Sequence, residues 1–290
     1  MSEQNTKKAI ICPKCGKLIS ADSEECYFCG LKNPGKMGLH SFVNKMFKGK
    51  FEIVQVIIYF CAGLYVVSLL IDPTAIFQSG GFLNFLSPSS KSLIVLGMTG
   101  AASMSGGQWW TLITAIYLHG GLMHIIFNMY ALRQLGPMVE SIFGTSRFIL
   151  LFTLSGIFGY FLSNSLSGYP TIGASGSIFG LLGALIYYGR TRGGMFSQTI
   201  YPQLLVWAGV MFLFGFAMPG INNYAHLGGF IGGYVGGNLL GYQESKTETT
   251  THRKIATLAI IATVLAFVFS LLTINSSLQL FYKYFIMGRN

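Results

Sequence analysis

Seven apolar stretches, near 52–71, 122–139, 148–166, 174–189, 202–218, 225–242 and 255–275, are separated by short polar or Gly/Pro-rich breaks. An α-helix needs about 20 apolar residues to cross a hydrocarbon core of roughly 30 Å. The pattern therefore predicts an all-α polytopic membrane protein. Composition agrees, because only 10% of residues are charged and the mean hydropathy is +0.56, against about 25% charged in soluble domains.

The first 50 residues differ. They hold nine of the nineteen Lys and Arg and four of the five cysteines. The chain is accordingly divided into a soluble head over 1–35, a basic linker over 36–50, a membrane-embedded region over 51–275 and a tail over 276–290. Residues 1–30 lack the apolar core and small-residue cleavage site of a signal peptide, so the amino terminus is expected in the cytoplasm.

In the head, Cys12-Pro13-Lys14-Cys15 and Cys26-Tyr27-Phe28-Cys29 form two C-x-x-C knuckles, each followed by glycine. Four thiolates at this spacing suit a tetrahedral structural Zn²⁺ bound by Cys12, Cys15, Cys26 and Cys29. Two disulfides or a redox dithiol are the alternatives, and a reducing cytosol disfavours them. The segment resembles a small zinc ribbon. Binding a cytoplasmic partner, sensing metal and anchoring the tail are all open roles for it. Cys61, within the first span, is expected to be a packing residue.

The net charge of +10 would suit nucleic acid only if basic residues clustered on a soluble face with motif support. Topology explains it better, and no nucleic-acid partner is expected. With the amino terminus inside, sixteen Lys and Arg fall on inside segments and only Lys91, Lys283 and Arg289 outside. Without the amino-terminal tail the split is still seven to three, in the sense of the positive-inside rule.

His124, Asn128, Ser175 and His226 lie within or at the ends of apolar stretches, where polar side chains are costly and mark function by default. His124 and Asn128 are i and i+4 on one helix face. They suit either catalysis or hydrogen bonds that glue the bundle. A serine opening a helix is commonly a cap or packing residue. Gly173, Gly176, Gly180 and Gly183, however, keep the helix after Ser175 thin, and the rows 228/232/236 and 229/233/237 do the same after His226. Both helices run from outside to inside in this topology. Ser175 and His226 are thus expected at similar depth near the outer surface, where a base can accept a serine proton.

These residues carry a resemblance to the rhomboid intramembrane serine proteases over about 50–275. It rests on His119-x4-His124-x3-Asn128, Gly173-Ala174-Ser175-Gly176 and Ala225-His226-x2-Gly229-x3-Gly233. Trp110, the run Gly136 to Glu140, and Arg147 also look like family features. The resemblance implies a six-helix core plus one C-terminal transmembrane helix, with Ser175 as nucleophile and His226 as general base. It further implies that His124 and Asn128 join the oxyanion hole and that His119 organises the loop. Catalysis would need no cofactor, and the partners would be the lipid bilayer and transmembrane protein substrates. Where the family often has Trp-Arg, this chain has Trp110-Thr111, so the loop is expected to be held differently. A bacterial plasma membrane is the expected location. A catalytically silent relative that escorts transmembrane segments, and a transporter, are the rival readings.

Overall fold

In a computed structural model of the chain, residues 9–12, 15, 17–20, 23–32, 34, 52–77, 86–218 and 220–287 are described. Lys7, Lys8, Lys14, Gly16, the linker over 36–50 and Arg289 lie outside the described residues. The chain divides into two compact units, Met1–Ile53 and Val54–Asn290.

In the first unit, β1 (Ala9–Ile11) pairs antiparallel with β2 (Leu18–Ser20), Ile10 opposite Ile19. An isolated bridge joins Glu25 to Lys32. The buried cluster consists of Cys12, Ile19 and Cys26, with Cys29 and Leu31 packed against it. So small an apolar core does not hold a fold of this size without a staple.

The second unit is a multi-pass membrane bundle. Its long helices are α1 (Ile53–Ile71), α2 (Leu122–Phe143), α3 (Thr145–Leu166), α4 (Ser175–Arg192), α5 (Tyr201–Ala217), α6 (Asn223–Leu240) and α7 (Thr250–Leu272). These seven helices match the seven predicted apolar stretches and the six-plus-one arrangement that the resemblance implied. By length and composition α1, α3, α7 and the run Phe196–Ala217 are able to cross a membrane, and α2 joins them as the longer arm of a pair bent by 90°. Helices α4 and α6 fall short of the same measure. Glycine contributes almost no hydropathy, and α4 also carries Arg190 and Arg192. They sit in the bundle for another reason: α4 packs against α2, α3, α5 and α6, and thirteen of its eighteen residues are buried.

Glycine sets the spacing of these inner helices. One glycine row of α6 faces α3, since β-carbons at Gly228 and Gly232 would meet the α-carbons of Gly159 and Ser155 at 2.9 and 3.3 Å. The other row faces α4: Gly229 lies on Gly176, Gly233 on Gly180 and Gly237 on Ala184. Each step advances four residues on both helices, so α4 and α6 run parallel with their amino-terminal ends side by side.

Between α1 and α2, short helical turns cover Pro73–Phe77, Ser90–Val95, Ala101–Ser105 and Thr111–Thr114. Residues beyond α7, assigned to a tail from the sequence, continue as helix α8 (Ile274–Phe281) and a turn over Tyr282–Ile286. The loop is fastened to these later elements. Trp110 stacks on Phe269 of α7 with centroids 5.6 Å apart, and Gln108 Nε2 donates to Ser277 Oγ at 3.0 Å. Thr111 is fully buried and donates to the Gln108 carbonyl at 2.7 Å. Internal loop bonds and aromatic stacking thus hold the loop, with the Thr111 hydroxyl among its donors.

At the opposite ends of the helices, α3 begins after Gly144 (φ +90) without a capping side chain of its own. Glu248 takes that place by accepting from the Ser146 and Arg147 amides at 2.7 and 3.2 Å. Arg147, fully buried, donates to the carbonyls of Gly241 and Lys246 at 3.0 and 2.5 Å and to His252 Nδ1 at 3.4 Å. His252 also completes a capping box with Thr249 at the start of α7.

Candidate active site

The residue before α4 is Ala174, and on the approach to it Thr171 forms an isolated antiparallel bridge with Thr99. Thr171 N donates to the Thr99 carbonyl and Gly173 N to the Ala115 carbonyl, both at 2.8 Å. Gly173 adopts φ +119, a conformation that side-chain-bearing residues rarely reach. A β-carbon there would also lie 2.6 Å from His124 Nε2. The buried Tyr160 hydroxyl donates to the Gly173 carbonyl. Ser175 is therefore the first residue of α4 on a chain segment held from three sides.

Ser175 is half-buried, and its Oγ lies 2.9 Å from His226 Nε2. His226 is 7% exposed and lies one turn into α6. The proximity follows from the parallel glycine contacts of α4 and α6. The imidazole stacks on Phe179 with centroids 4.3 Å apart and planes 13° from parallel. Phe179 is one helical turn after Ser175, so α4 carries both the hydroxyl and the surface on which the ring rests. His226 Nδ1 is buried and has no hydrogen-bond partner among the described residues. Phe179 is a site residue that reading the sequence missed. Its one signal is the i+4 spacing from Ser175.

His124 is half-buried beside Gly173, and its Nδ1 accepts from Gly120 N at 3.3 Å. An accepting Nδ1 assigns the proton to Nε2, the atom nearest Gly173. Asn128 donates through Nδ2 to the His124 carbonyl at 2.8 Å. That hydrogen bond lies within α2, not to Ser175 or His226. His119 is 1% exposed, and its Nε2 accepts from Ala174 N at 3.5 Å. It packs edge-on to His124, 5.2 Å away. Cys61 is fully buried in α1.

In the head unit, the sulfurs of Cys12, Cys15, Cys26 and Cys29 all lie within 4.8 Å of one another. The pairs Cys12–Cys29 and Cys15–Cys26 stand 3.6 and 3.7 Å apart. These separations exceed the roughly 2.05 Å of a disulfide, and none of the four is disulfide-bonded. A tetrahedron with Zn–S bonds of about 2.3 Å has an edge of roughly 3.8 Å. The donor set and its spacing thus fit one tetrahedral ion. Burial, together with the neighbouring thiols, pushes the Cys29 thiol up to about 12.

Residues 106–243 match the rhomboid domain family model. The chain is 38% identical over 159 residues to the rhomboid protease GluP of Bacillus subtilis, covering 55% of this chain and 31% of that protein. It is 34% identical over 135 residues to the rhomboid relative YdcA of the same organism, covering 44% of this chain and 67% of YdcA. An Arabidopsis thaliana relative named as an inactive rhomboid-like protein, RHOMBOID-like protein 8, is 32% identical over 159 residues, 53% of this chain and 45% of that protein. The chain thus spans under a third of GluP's length and two thirds of YdcA's.

Proposed function

The chain belongs to the rhomboid family, and on that premise we propose that it is an intramembrane serine endopeptidase with Ser175 as nucleophile and His226 as general base. The 2.9 Å contact between Ser175 Oγ and His226 Nε2 carries this reading. Ser175 Oγ attacks the scissile carbonyl carbon while His226 Nε2 takes its proton. The imidazolium returns that proton to the leaving amine, and a water activated by the same nitrogen then releases the acyl-enzyme. For Nε2 to accept, the ring proton must sit on Nδ1. Stacking on Phe179, rather than a carboxylate at Nδ1, orients the ring.

Charge developing on the carbonyl oxygen needs donors. Ser175 N–H, at the first position of α4, has no partner within the helix, and the helix dipole favours an anion there. His124 Nε2–H and the second amide proton of Asn128 complete the proposed oxyanion hole. Each such donor is worth on the order of 100- to 1000-fold in rate. The substrates are transmembrane segments of membrane proteins. A helical segment must unwind locally first, because its amides are paired internally.

The same reading puts the amino terminus and head on the cytoplasmic side and the Ser175 end of α4 toward the outer face of a bacterial cell membrane. The Lys and Arg distribution supports it. The four cysteines of the head are proposed to hold a structural Zn²⁺, whose binding supplies folding free energy.

Wild-type protein and Ser175→Ala, compared in proteoliposomes on a labelled transmembrane substrate, provide the test. Cleavage that disappears with Ser175→Ala, together with covalent labelling of Ser175 by a fluorophosphonate, is the expected result. Cleavage by neither protein would instead mark a silent relative that binds transmembrane segments, and equal cleavage by both would overturn the role of Ser175.

A further inference from the structure

Asn222 precedes α6, and its contacts exceed what a helix cap requires. Its Oδ1 accepts from Tyr224 N and Ala225 N at 3.1 and 3.3 Å, the usual work of an N-cap. Its Nδ2 reaches two hydroxyls on other elements, Ser163 Oγ on α3 at 2.6 Å and Thr171 Oγ1 at 2.8 Å. Both partners of Oδ1 are N–H groups that only donate, which fixes the orientation of the amide. All four of its hydrogen-bonding positions are thereby used.

The positions of these partners matter. Thr171 stands four residues before Ser175, on the stretch whose amides are pinned to Thr99 and Ala115. Asn222 stands four residues before His226, and the His226 amide donates to the Asn222 carbonyl at 3.3 Å. One side chain therefore joins the segment that delivers the serine to the turn that carries the histidine. The glycine rows determine how closely α4 and α6 approach. Such smooth faces offer little resistance to sliding along the helix axes, so the axial register needs another device.

We infer that Asn222 is a positioning residue, setting the axial register of His226 against Ser175 through Thr171, with Ser163 as its anchor on α3. This rests on the reading of Ser175 and His226 as the reacting pair. A misplacement of about 1 Å costs on the order of 100-fold in rate.

The test measures kcat, KM and Tm for wild type, Asn222→Ala, Thr171→Val and the double variant, with Asn222→Ser as a capping residue too short to reach both hydroxyls. Thr171→Val leaves the cap intact. Each single change is expected to lower kcat by about 10- to 100-fold with little change in KM, and the double variant to be no slower than Asn222→Ala. Asn222→Ser should keep the Tm and still lose kcat, and it carries the test if Asn222→Ala does not fold. Wild-type kcat in Thr171→Val, or losses that multiply in the double variant, would overturn the inference. Ser175→Ala run in parallel separates the two readings. If cleavage does not depend on Ser175, both fall; if it does and the losses multiply, only the positioning role falls.

Discussion

Gly233 of α6 lies directly against Gly180 of α4, so close that a β-carbon at Gly233 would overlap the Gly180 carbonyl oxygen. Backbone meets backbone there, and no side chain is available to yield. Gly233→Ala must therefore push the helices apart and separate Ser175 from His226. Cleavage is expected to fall by about 100-fold or more. Gly209→Ala on α5, where a β-carbon meets nothing within 4 Å, should cleave like wild type. Side-by-side rates of the two variants check this, and a Gly233→Ala enzyme of normal rate would refute the glycine account of the site.

Phe179 supports the imidazole by its face. Phe179→Leu keeps an apolar side chain and removes the flat surface, a contact worth about 0.5–1.5 kcal/mol. The expected outcome is a kcat lower by up to about tenfold, since 1.36 kcal/mol is a factor of ten, with Phe179→Tyr close to wild type. Single-turnover kinetics report the effect. Equal rates for Leu and Phe would mean that the ring only fills space.

Arg147 joins the start of α3 to the connection between α6 and α7 through two hydrogen bonds and to His252 of α7 through a third. Arg147→Met removes two part-buried hydrogen bonds from a charged donor to the Gly241 and Lys246 carbonyls, each worth about 1.5–3 kcal/mol. A clear drop in Tm is expected, together with faster proteolysis between α6 and α7. A variant as stable as wild type would show that this network contributes nothing.

For the head, metal analysis of purified wild type should find about one zinc per chain, and Cys26→Ser should lose it. Structural zinc contributes about 10–16 kcal/mol of apparent binding free energy in small zinc-finger peptides, so chelation should expose the head to protease. Fluorophosphonate labelling of Ser175 should continue after chelation, since no metal enters the proposed reaction. Labelling that stops on chelation would contradict that separation.

Bilayer thickness dictates apolar length, which is why the spans were readable: the stretch over 52–71 became Ile53–Ile71, and that over 225–242 became Asn223–Leu240. The largest difference at a helix end is the start of α7, predicted at 255 and found at Thr250, and α2, predicted to close at 139, reaches Phe143 with Pro137 inside it. Membrane helices tolerate such a proline, and Glu140 is accommodated by accepting from Thr145 Oγ1 at 2.7 Å. Ser175 and His226 stood out as polar groups in apolar runs. Phe179 gave no such contrast, because an aromatic ring in an apolar helix looks like packing until its partner is known. Trp110–Phe269 and Gln108–Ser277 were equally hidden, since no local periodicity encodes pairs so distant in sequence.

The fastening of the loop to α7 and α8 also imposes a chronology on biosynthesis. Gln108 meets Ser277 only after 169 further residues have been made, which at ~5–20 residues per second takes on the order of ten seconds or more. His226 emerges well before that. A growing chain thus holds both Ser175 and His226 while the neighbouring loop is still unfastened, and the helices made afterwards latch it.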